Sequence, residues 1–85
     1  MTGQKKIIAA GNTVVPAILE LEHLGFAISA PARGKIFTAT RGDETYSADD
    51  PVTVLGLVKL IELRNWEWGA TDSEIESTLD KYGLR

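Results

Sequence analysis

Gly42-Asp43 sits between two alternating segments, Lys35 to Arg41 and Glu44 to Ala48, and a Gly-first pair in that position suits a two-residue type II′ hairpin loop. A loop that short fixes the register of the strands it joins. Arg41 must face Glu44, Ala39 must face Tyr46, and Phe37 must face Ala48. These six residues share one face, apolar with an ion pair at its rim. Ile36, Thr38, Thr40, Thr45 and Ser47 make the other face, a polar β-branched surface suited to solvent.

A sheet with one apolar face needs a covering layer, and helix signals flank the hairpin. Upstream, Asn12 or Thr13 offers an N-cap oxygen, and Pro16 falls in a first turn where its missing N–H costs little. Val14, Ile18, Leu21 and Leu24 recur at helical spacing, and Gly25 ends the run, predicting a helix over 13–24. Phe26 to Ala30 reads as a short strand, and Pro31-Ala-Arg-Gly34 as a turn. Downstream, Asp49-Asp50-Pro51 is a helix start with an acid at the N-cap and Pro at the first helical position. That helix should run to about Trp66. Thr71-Asp-Ser-Glu74 then fits a capping box, followed by Ile75, Leu79 and Tyr82 at i, i+4, i+7, with Gly83 as the stop. The predicted fold class is α+β, in the order α-β-β-β-α-α, with helices on one face of a three-stranded antiparallel sheet. Residues 1–12 form a lead-in whose patch, Ile7 and Ile8, suits either an edge strand or a contact with the core. Residues 13–85 form one domain.

The long helix is apolar around most of its circumference, and only Gly56, Lys59 and Glu62 line up as a polar strip. Such a helix is buried centrally or shared with a partner, so a homodimer through it is one expectation. Gly56 costs about 1 kcal/mol relative to Ala in a helix interior. Close approach of the first or third helix would offset that.

Composition removes several function classes. With no cysteine, disulfides, thiolate metal sites and Cys nucleophiles are excluded. One histidine and one methionine leave no multi-His metal centre and no Met-rich groove. No cofactor is expected. The net charge of −3 and a pI near 5.0 argue against a general nucleic-acid binder. The charge is uneven: residues 1–42 hold five Lys/Arg against two acids, residues 43–85 four against ten. The apolar run at Ile7 is too short for a signal peptide, and no segment is long enough to span a bilayer, so a cytoplasmic protein is expected.

No constellation of reactive groups stands out. His23, beside Glu20 and Glu22, falls on the outer side of its helix with no nucleophile motif around it. Asp43, Glu44, Asp49 and Asp50 lack EF-hand spacing, and Asp43 and Asp50 already have turn and cap roles. Arg33, Lys35 and Arg41 make at best a weak anion site, since no phosphate-loop pattern accompanies Gly34 or Gly42. Trp66-Glu67-Trp68 is the most suggestive short segment, because indoles combine large apolar area with a polar handle. Two tryptophans two residues apart cannot both face one core. Trp66 is expected inside and Trp68 at a boundary. With Asp72, Glu74, Glu76 and Asp80 they form an acidic end usable against a basic partner.

The α-β-β-β-α order of residues 13–66 is similar to the double-stranded RNA-binding domain. That family grips phosphate with a Lys-rich start to its second helix. Here the position reads Asp49-Asp50-Pro51-Val52-Thr53, of the opposite charge, so the resemblance implies topology and not RNA binding. Tyr46-Ser-Ala-Asp-Asp-Pro51, Leu55 through Arg64 and Trp66-Glu-Trp68 also resemble small uncharacterised bacterial α+β proteins, which implies a bacterial origin. The expected function is a non-enzymatic protein-interaction module, of an accessory, immunity-type or regulatory kind, binding a basic protein through Trp66, Glu67, Trp68, Asp72, Glu74, Glu76 and Asp80. The alternative is a nucleic-acid-binding domain using Lys5, Lys6, Arg33, Lys35 and Arg41.

Overall fold

The computed structural model describes residues 3–29 and 36–84. The chain runs through α1 (Val14–His23), β1 (Ala27–Ser29), β2 (Phe37–Arg41), β3 (Glu44–Ala48), α2 (Pro51–Arg64) and α3 (Asp72–Tyr82), with a single 3-10 turn at Gly11–Thr13. This is the expected α+β order, and the sheet is antiparallel in the order β1-β2-β3. The hairpin has the register that its loop dictates: Arg41 pairs with Glu44, Ala39 with Tyr46, and Phe37 with Ala48. Gly42 takes φ 62° and Asp43 does not follow it into positive φ, as a type II′ loop requires. Both hairpin strands end where the alternation ends, except that β2 begins at Phe37 rather than Lys35. Lys35 and the turn expected at 31–34 lie outside the described residues.

Alternation places Ala39 and Tyr46 on the covered face, where they are buried with Leu21 of α1, Phe26, and Val54 and Val58 of α2. Ile28, Phe37 and Ala48 pack around this cluster half-buried. Phe26 meets Tyr46 edge to face, centroids 5.5 Å apart, the arrangement that aromatic quadrupoles favour. The α1–β1 corner is closed by Gly25 at φ 91°, with Gly25 N–H donating to Glu22 O and Phe26 N–H to Leu21 O. This pair of bonds satisfies orphan helix carbonyls and brings Phe26 against Leu21. Asp50 caps α2 as expected: its Oδ1 accepts from Thr53 N at 2.9 Å.

Several expectations on the helices need correcting. Thr13 is the N-cap of α1, yet its side chain accepts nothing; its hydroxyl donates to Ala10 O at 2.6 Å. The preceding 3-10 turn already occupies the position that a capping oxygen would use. Leu24 closes α1 as its C-cap and is exposed, while Ala17 takes its expected place in the core. Ile7 and Ile8 form no strand and are both exposed, although Ile7 lines an open groove with Pro16, Ala17, Val52 and Leu55.

The long helix ends at Arg64, before Trp66. Asn65 adopts φ 59°, the only positive φ outside glycine among the described residues, and this breaks the helical path. Only one arc of α2 faces the sheet: Pro51, Val54 and Val58 are buried, while Leu63 is 70% exposed. Gly56 has no neighbour within 4 Å of where a Cβ would stand, so no helix approaches it closely. Nor does α3 cover the core. Its capping box and its left-handed Gly83 are as expected, but none of its residues is buried.

Candidate interaction surface around the tryptophan turn

Trp66 is not in the core. With the helix ended by Asn65, Trp66 leaves helical register and lies on the outer side of Tyr46, rings stacked at 5.8 Å and 26°. The inner side of Tyr46 is already taken by Phe26, so the small core has no room for an indole. Trp66 is 59% exposed and Trp68 51%. Both line a groove of about 190 Å³ with Tyr46, Leu57, Leu60 and Ile61, rimmed by Thr45 and Ser47 of the edge strand β3. The turn itself is held. Arg64 Nε donates to Trp68 O at 2.9 Å and Nη2 to Gly69 O at 3.4 Å, while Asn65 N–H returns to Ile61 O at 2.7 Å. Two carbonyls that would otherwise rely on water are thereby satisfied by the side chain that ends α2.

The acids expected at this end divide by role. Glu74 belongs to the capping box: its Oε1 accepts from Thr71 N at 2.9 Å, and Thr71 Oγ1 accepts from Glu74 N at 3.1 Å. Those bonds hold its carboxyl below the usual carboxylate range. Glu67, Asp72, Glu76 and Asp80 are exposed along the turn and α3. Trp66 and Trp68 are thus brought together in the groove, Glu74 is committed to the cap, and the other acids follow along the turn and α3. Leu57, Leu60, Ile61 and Tyr46 are members of the groove that sequence reading did not assign to it. The row Leu57-Leu60-Arg64, running at i, i+3, i+7 into Trp66, is the signal that could have found the first two.

Of the basic residues of the alternative reading, three lie among the described residues, Lys5, Lys6 and Arg41. Arg41 is committed to the fold: its guanidinium lies 4.3 Å over the Phe26 ring, Nη1 donates to Leu24 O at 2.7 Å, and Nη2 stands 3.5 Å from Glu44 Oε1. Lys5 and Lys6 are exposed in the irregular N-terminal segment, and Arg33 and Lys35 lie outside the described residues. His23 is exposed, 3.7 Å from Glu20 Oε2. Among the described residues no group of three or more His, Asp or Glu converges to hold a metal ion, and no helix is long and apolar enough to cross a membrane.

One buried titrating group links core and surface. Burial, reinforced by its hydrogen bond to Glu44 Oε1 at 2.7 Å, pushes the Tyr46 phenol from 10.0 up to about 12. A folded-state value above the unfolded one adds stability that is complete below pH 10 and is lost as pH rises through about 12. Urea midpoints are thus expected to fall across that window, and Tyr46→Phe should flatten the fall attributable to this phenol. An unchanged alkaline slope in that variant would show the phenol to be unperturbed.

Comparison with family models, with curated proteins and with solved structures finds no match to this chain.

Proposed function

We propose that the chain is a cytoplasmic, non-enzymatic protein-interaction module, an accessory, immunity-type or regulatory small protein that engages a basic protein through its acidic C-terminal half. The observation that carries this reading is the tryptophan turn: Trp66 and Trp68, both more than half exposed, share one apolar groove beside an acid-rich helix. A small domain gains nothing in stability from leaving two indoles in water, whereas Trp is the residue most enriched at binding hot spots. The acids around the turn supply selection. Residues 43–85 hold ten acids against four Lys/Arg, so a basic surface is steered toward this end and an acidic one repelled.

The test is capture of basic proteins on the immobilised chain, compared with a Glu67→Gln/Asp72→Asn/Glu76→Gln/Asp80→Asn variant. These charges are exposed, so their joint loss is expected to weaken capture by about tenfold or more. Moderate salt should do the same to the unmodified chain. Capture that withstands both the four substitutions and salt would contradict the proposal.

A further inference from the structure

The apolar half of this surface is larger than the groove alone. α3 carries Ile75, Leu79 and Tyr82 on one side of the helix, within about 60° of one another at 100° per residue. Leu79 is half-buried, but the ends of the stripe stand open: Ile75 is 43% exposed and Tyr82 64%. Leu63 and the two tryptophans are exposed at the other end of the same segment. One chain thus holds an apolar helical stripe open at both ends and an apolar groove. A surface that contains both halves of a contact is self-complementary, as a two-fold interface must be.

We propose that a second copy of this chain covers it. The α3 stripe of one protomer seats on the tryptophan turn and the C-terminal end of α2 of the other, and the reverse, in a two-fold dimer. This rests on the tryptophan turn being a contact surface, and it names what fills the apolar part. Glu76 and Asp80 lie about 100° and 140° round the helix from Ile75, so the acidic flank stays outward for a basic partner.

Surface area argues for a second copy. A folded monomer of 9.2 kDa has an accessible surface of about 4,900 Å² by the usual scaling. This chain has 6920 Å². The surplus, about 2,000 Å², exceeds the roughly 800 Å² that each partner contributes to a standard interface. Part of it belongs to the irregular N-terminal segment, and part to residues 62–84, among which no residue is buried. The radius of gyration agrees, at 15.8 Å against about 12 Å for a compact chain of this length. The connection also favours exchange over folding back. Asn65 and the two Arg64 hydrogen bonds fix the turn that leads into α3, and with that turn made no residue of α3 is buried. Exchange keeps every one of these bonds.

Light scattering across the micromolar range tests this. The expected mass is twice 9.2 kDa. Ile75→Ser/Leu79→Ser and Trp66→Ala/Trp68→Ala should each weaken the dimer by about 100-fold or more, as loss of two anchors does. Neither pair includes a residue of the buried cluster, so circular dichroism should report a folded core in both. Mixing the two variants restores one of the two contacts, because the intact α3 of one meets the intact turn of the other, so the mixture should associate more tightly than either variant alone. A monomer at every concentration, a dimer indifferent to both variants, or a mixture that associates no more tightly than either variant alone would each overturn the proposal. The four-acid variant should remain dimeric, so failure of self-association and failure of basic-partner binding are read separately.

Discussion

Leu21→Ala is expected to leave the chain at or near the edge of folding at 25 °C. Leu21 is 1% exposed and sits where α1, Phe26 and the sheet meet. Truncating a fully buried leucine costs about 3–5 kcal/mol, the lost transfer energy plus the cavity left behind. A chain of this length has about 4–13 kcal/mol to lose. The cavity should relax poorly, because Leu21 is also the carbonyl acceptor for Phe26 N–H in the corner that holds the two side chains together. Urea unfolding followed by far-UV circular dichroism measures the loss. A change below about 1.5 kcal/mol would mean that the core described here is not the one that holds the fold.

Tyr46→Ala should be comparably damaging, and Tyr46→Phe should not. The ring bridges two layers: Phe26 meets it edge-on from inside, and Trp66 stacks on it from outside. Removing a buried aromatic side chain costs about 3–5 kcal/mol and here also takes away the platform under Trp66. Phenylalanine keeps both ring contacts and gives up the hydrogen bond to Glu44, worth about 1.5–3 kcal/mol with a charged acceptor. The two variants also separate in fluorescence. Both tryptophans of the chain lie in this turn, so emission reports on it alone. Tyr46→Ala should shift emission to the red and Tyr46→Phe should leave it in place. Equal destabilisation by the two would place the importance of Tyr46 in its hydroxyl instead of its ring.

What could be read from the sequence was whatever a local rule decides. The two-residue loop left one register for β2 and β3, and all three predicted pairs form. Asp50 and the Thr71–Glu74 box cap their helices because capping involves only residues a few positions apart. Coverage is not local, and there the reading failed. An apolar helix arc shows that a side chain prefers to be covered, without showing that the chain has anything to cover it. Residues 51, 54 and 58 of α2 are buried, whereas Leu63 stays mostly in solvent and nothing stands within 4 Å of a Cβ at Gly56. Trp66 illustrates the same point. Its burial was expected from size and position, but Asn65 ended the helix early and Phe26 had filled the inner side of Tyr46. Only the geometry of the cap shows that Glu74 is already engaged.

The most direct test of the tryptophan turn as a contact surface is its own fluorescence on dilution, with an acrylamide quencher, from high micromolar to nanomolar chain. Dilution is expected to move emission to longer wavelength and to raise quenching, as Trp66 and Trp68 pass from a covered dimer to a half-exposed monomer. Emission and quenching that stay constant across the whole range would contradict self-association through this surface.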